Sequence, residues 1–180
     1  MAFSGLSPRQ PLTQNATSEP VEVSFEPIRE GWSVYRLQDI TIRLKMILLK
    51  LQFLGIDSDG SNARFNASVL PVIIVSVPPN LKGTKATHVY QSNEILDAVT
   101  EPDVKFDTVK EEWNEYQLPE NVTISAKIIM TQLSRTSLYD MFGDPLFRIQ
   151  HQSVVKSTLP ASAREKYVQM LKPSAPTQSA

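Results

Sequence analysis

With no cysteine and only two histidines, the chain has few side chains able to do chemistry. The missing thiols remove disulfides, thiolate zinc sites and thiol nucleophiles together. His88 has no acidic or histidine neighbour at metal-ligand spacing, and His151 sits between Gln150 and Gln152. Asp57, Asp59 and Asn62 resemble the opening of a calcium loop. The glycine is displaced and no distal glutamate follows, so the stretch is predicted to be a turn. No glycine-rich phosphate loop, Gly-x-Ser-x-Gly elbow or His-Glu-x-x-His motif is present. An enzyme would have to assemble Arg135, Tyr139, Asp140 and His151, which only their nearness in sequence recommends. The expectation is therefore no enzyme, no cofactor and no metal.

What remains are candidate binding residues: Trp32, Tyr35, Arg43, Lys45 and Trp113. Arg43 and Lys45 share a face of one predicted strand, beside Trp32 or Tyr35 if two strands pair as a hairpin. A basic, aromatic β surface is the footprint of a single-stranded nucleic-acid binder. The competing reading is a solvated outer face whose lysines discourage edge pairing. The two tryptophans are either core anchors or, if exposed, a paired interaction site.

These residues recur in order. Glu30, Trp32, Tyr35 and Leu37 match Glu111, Trp113, Tyr116 and Leu118 at an offset of 81. One inserted residue, Asn121, moves the offset to 82, and Thr41, Ile42, Lys45, Ile47 and Leu51 then match Thr123, Ile124, Lys127, Ile129 and Leu133. Phe65, Val72 and Pro78 hold the same phase against Phe147, Val154 and Pro160. Convergent strand patterning accounts for the aliphatic matches but not for the Trp, Tyr and Lys, so a tandem duplication is expected.

The elements that must position these residues are mostly strands. Each copy shows three: one opening at the tryptophan, a second alternating apolar with Thr, Arg, Ser and Lys, and a third ending at proline. The second strand of copy one, from Ile40 to about Phe53, turns apolar on both sides toward its end, which predicts an end covered on both faces. Ile47–Leu54 and Val69–Val77 are surplus apolar surface that could pair with a partner. Pro71 places the third strand of copy one at an edge or a bulge. A short strand from Val21 should stop at Pro27. Ser92 should cap a short helix, and 162–171 should form an amphipathic terminal helix bearing Ala163, Tyr167, Met170 and Leu171.

The expected fold is mainly β: two tandem related small antiparallel β units, as sheets or half-barrels, with a short linker helix and a C-terminal helix. The expected organisation is a flexible arm (1–20), β repeat 1 (21–83), a linker (84–110), β repeat 2 with its helix (111–172) and a tail (173–180). A formal net charge of −1 disfavours a wholly basic nucleic-acid binder, although copy one carries a small positive excess. No apolar run suits a signal peptide or a membrane span, so a cytoplasmic protein without membrane contact is expected. The functional expectation is a non-enzymatic structural or protein-interaction subunit, with a protein partner or self-assembly; the alternative is single-stranded nucleic-acid binding.

Overall fold

The computed structural model describes residues 19–57 and 62–171. The expected arm and tail fall largely on 1–18 and 172–180, and most of the Asp57–Asn62 turn on 58–61, all outside the described residues. The chain is mainly β, in two antiparallel five-stranded sheets. The strands are β1 (Val21–Glu22), β2 (Glu26–Arg29), β3 (Ser33–Leu37), β4 (Ile40–Ile56), β5 (Ala63–Ser76), β6 (Val99–Glu101), β7 (Asp107–Lys110), β8 (Asn114–Gln117), β9 (Thr123–Tyr139) and β10 (Pro145–Thr158). Two helices accompany them: α1 (Ser92–Asp97) and α2 (Ala161–Met170).

Period-two patterning sets each half. In β4, Ile42, Leu44, Met46 and Leu48 point inward, and Thr41, Arg43, Lys45 and Ile47 outward. The expectation that the end of this strand is covered on both faces is overturned. A register shift between Leu48 and Lys50 bulges Leu49 into solvent, so the buried set moves from even to odd numbers, to Leu51 and Phe53. The apolar run is a change of phase within one inward face. The second half bulges at the matching residue, Thr131, between Met130 and Gln132.

The sheets are built alike and exchange strands. One sheet runs β5-β4-β3-β7, with β1 on the far end of β4; the other runs β10-β9-β8-β2, with β6 on the far end of β9. β2 precedes the first hairpin in sequence yet pairs with β8 of the second half, while β7 precedes the second hairpin and pairs with β3 of the first. The segment read as a linker thus supplies two strands as well as α1. Pro27 does not end a strand: it lies within β2, an edge strand that can spare an N–H.

The inward faces meet in two clusters. Tyr35, Ile42, Leu44 and Met46 pack with Ile128, Met130 and Leu133, while Leu48, Leu51 and Phe53 pack with Tyr116, Val122 and Ile124. The inserted residue of the second half is absorbed in a turn, where Glu120 and Asn121 take φ values of 61° and 59°. α1 is capped by Gln91 rather than Ser92: the Gln91 amide donates to Glu94 Oε2 at 2.7 Å. Of the predicted apolar face of α2, Ala163 and Tyr167 are buried and Met170 is exposed.

Candidate interaction face

β3 reaches only to Leu44 along one edge of β4, and β1 resumes at Gln52, so the backbone between them has no strand neighbour on that side. Side chains of the other half fill the gap. Asn114 Nδ2 donates to the Met46 carbonyl at 2.8 Å, and the Tyr116 hydroxyl lies 3.4 Å from the same oxygen. In the matching gap along β9, Ser33 Oγ donates to the Ile128 carbonyl at 2.8 Å and the Met130 amide donates to the Tyr35 hydroxyl at 2.9 Å.

Each tyrosine also donates to a glutamate held by a lysine. Tyr35 donates to Glu111 at 2.9 Å, and Lys127 pairs with Glu111 at 3.0 Å; Tyr116 donates to Glu30 at 3.2 Å, and Lys45 pairs with Glu30 at 2.7 Å. Burial, reinforced by these carboxylates, pushes both phenols up to about 12. The repeated Glu, Tyr and Lys therefore join one half to the other.

Two of the five candidate binding residues are removed from the surface chemistry expected of them. Tyr35 is fully buried, because alternation along β3 sends it inward, and Lys45 is neutralised by Glu30. Trp32 and Trp113 are half-buried on the outer faces, being neither core anchors nor free platforms. Arg43 lies over the Trp32 ring at 5.8 Å, and Lys156 and Lys127 over Trp113 at 4.4 and 5.3 Å.

Two of the four candidate catalytic residues, Asp140 and Arg135, are engaged elsewhere. The Asp140 carboxylate accepts the amides of Phe142 and Asp144, both at 2.8 Å, within the β9–β10 turn, where Gly143 takes a φ of 82°. Arg135 pairs with Glu101 at 3.4 Å and lies over Phe147; His151 is exposed, without a hydrogen bond or ion pair among the described residues. Sequence reading missed one neighbour: α1 brings Glu94 to 3.3 Å from His88. Among the described residues no group of three or more His, Asp or Glu is placed to hold a metal, and no helix is long and apolar enough to cross a membrane.

The outer face of the first sheet is the unusual surface. Cross-strand register places Ile74, Arg43 and Val34 in one row, Val72 and Lys45 in the next, and Leu70 and Ile47 in a third. The same rows of the second sheet read Lys156, Ser125 and Glu115, then Val154 and Lys127, then Gln152 and Ile129. Ile74, Val34 and Leu70 thus stand where a strand of the same build carries Lys, Glu and Gln. Leu70 keeps 48% of its surface exposed and the bulged Leu49 57%. Arg43 sits among them with its Nε shut from water and unbonded, and with no carboxylate in ion-pairing range among the described residues.

The free edge beside this face is partly blocked. Because the Met46 carbonyl turns into the gap on the β3 side, its pair with Pro71 is a non-hydrogen-bonded one, and the missing Pro71 N–H falls on the outer edge of β5. Pro71 therefore costs no ladder bond, yet it denies a donor to any strand adding there. Compared with family models, with curated proteins and with solved structures, the chain gives no match.

Proposed function

We propose that this chain is a non-enzymatic structural or protein-interaction subunit of a larger assembly, built on a duplicated β unit and using the outer face of its β5-β4-β3 strands for contact. One observation carries the reading: this face is aliphatic at Ile74, Val34 and Leu70, where the second half is charged or polar. The polar version folds in the same sheet geometry, so the fold does not require the apolar one. An exposed apolar patch with a polar rim is the usual sign of a protein contact. Arg43, without a carboxylate among the described residues, favours a partner that brings an acceptor to it.

A protein is favoured over single-stranded nucleic acid because base stacking needs open aromatic faces. Tyr35 is buried and Trp32 is covered by Arg43. The test borrows from the second half. Val34→Glu, Leu70→Gln and Ile74→Lys, combined, should keep the fold within a few degrees of melting temperature, abolish self-assembly or partner retention, and lower binding of an apolar fluorescent dye. Wild type that sediments as a monomer, binds dye no better than the triple variant and retains the same proteins would overturn the reading. Binding to oligonucleotides that weakens steeply with salt would favour nucleic acid instead.

A further inference from the structure

Helix α2 closes one end of the sandwich, and the matching end of the other half is open. At the closed end Tyr167 packs edge-on against Phe53, with ring centres 5.1 Å apart, and against Phe65 at 6.3 Å. Ala163, one turn earlier, is buried beside it. The corner is fastened by Ser157 Oγ, which donates to the Ala63 carbonyl across from β10 to β5 at 2.9 Å.

Carrying these residues across by the offset of 82 gives a different result. Phe65, Ala63, Ala67 and Ser157 become Phe147, Pro145, Ile149 and Val75, and all four line a cavity of about 510 Å³. Valine has no hydroxyl with which to fasten the corner. The counterpart of Tyr167 is Lys85, and among the described residues Phe147 is the aromatic residue that lines the cavity. Phe53 is replaced by Arg135, which lies over Phe147 at 5.8 Å. What this end lacks is a ring in the place of Tyr167 and a helix in the place of α2.

Charge narrows the occupant. Asp140 and Asp144 stand at the lining, and α1, which lends Ser92 and Ile95 to it, bears Glu94 and Asp97. Lys82 answers Asp144 and His88 answers Glu94, whereas Asp140 and Asp97 have no cation in range among the described residues. Arg148, the cation of the lining, lies against the Gln150 side-chain amide, whose oxygen accepts from it once that amide is turned over. At the closed end the helix flank is cationic, with Lys166 on Glu120 at 2.6 Å.

We propose that this cavity docks a helix of a partner protein, one that presents an aromatic side chain with a small residue one turn before it and lysine or arginine on its flank. A volume of this size lies in the range of ordinary binding sites, roughly 300 to 1,000 Å³. A second copy would have to withdraw Tyr167 from its own core to serve as the occupant. The site lies apart from the outer sheet face and stands on a different observation.

The probe is a blocked peptide of residues 159–171, added to the full chain and followed by fluorescence anisotropy. Saturable binding is expected, weakened at least tenfold when the peptide's tyrosine is alanine, and weakened also when its Arg164 and Lys166 are glutamate. Ile149→Trp should fill the cavity and abolish binding; Val75→Ser, which restores the fastening hydroxyl, should weaken it in a chain of undiminished stability. The outer-face variants should leave peptide binding unchanged, which separates this site from the sheet face. Absence of binding up to about 1 mM, where affinity falls to about 4 kcal/mol, or equal binding by either folded cavity variant, would refute the proposal. A dimer that the peptide dissociates would assign the cavity to a second copy and refute it as well.

Discussion

Replacing Tyr35 by Phe isolates the contact that joins the halves at one end of the core. The substitution keeps the ring and its edge-on packing on Phe106, at 5.6 Å, and removes one oxygen. That oxygen accepts the Met130 amide at 2.9 Å in the buried core, and an orphaned buried amide costs about 1 to 3 kcal/mol. It also donates to Glu111 at 2.9 Å. A hydrogen bond to a charged group contributes about 1.5 to 3 kcal/mol when buried. Glu111 keeps a fifth of its side chain in water and keeps Lys127 as a partner, so about 1 kcal/mol is the better figure here. The expected loss is about 3 kcal/mol, or roughly 6 to 12 °C in melting temperature for a chain of this length. Tyr116→Phe should cost less, about 1.5 kcal/mol, because its hydroxyl contacts are longer, 3.2 and 3.4 Å, and the Met46 carbonyl keeps Asn114. Urea unfolding followed by tryptophan fluorescence, at unchanged m-value, measures both. Equal losses, or a Tyr35→Phe cost below about 1 kcal/mol, would refute the assignment of that oxygen to two partners at once.

Two further outcomes are expected. Tyr35, Tyr116 and Tyr167 have phenols raised to about 12, chiefly by burial, against 10.0 when unfolded. A folded-state value above the unfolded one makes their contribution complete below pH 10 and lost as pH climbs toward 12. Phenolate absorbance from three of the five tyrosines should therefore appear together with loss of the folded fluorescence signal, and ionisation of all five in a still-folded chain would contradict this. Pro71→Ser, which copies Ser153 of the second half, should return a donor to the free edge of β5. Unfolding midpoints should change little while light scattering on storage increases; unchanged scattering would mean that Pro71 does not guard the edge.

The strands were legible because their buried residues recur with a period of two. The Trp, Tyr and Lys matches marked equivalent positions, and the sheets hold those positions in equivalent places. The roles were less legible. Tyr35 and Lys45 look like surface binding groups beside Trp32, but the residues that occupy them, Glu111, Met130 and Glu30, lie up to 95 positions away or outside the strand pattern. The end of β4 looked doubly covered because a bulge is invisible to a fixed period. β7 was hidden because Asp107–Lys110 is short and exposed at all four residues, so burial imposed no pattern on it. The face formed by Val34, Leu70 and Ile74 could have been found by asking where the matched segments differ in polarity on one side of a strand. Deciding which side requires the register, and that came from the fold.

The exchange of β2 and β7 also bears on how the chain is made. When synthesis has passed β5, the first sheet still lacks β7, and the inward row of Tyr35, Ile42, Leu44 and Met46 has no opposing layer. β2 has already left the ribosome, yet its neighbour β8 lies more than 80 residues downstream. Neither sheet can finish before the other begins, so the nascent first half is an open apolar surface for the time needed to translate most of the second. A chaperone holding that half, or a delay between the halves, would alter the yield of folded protein without changing any contact of the final structure.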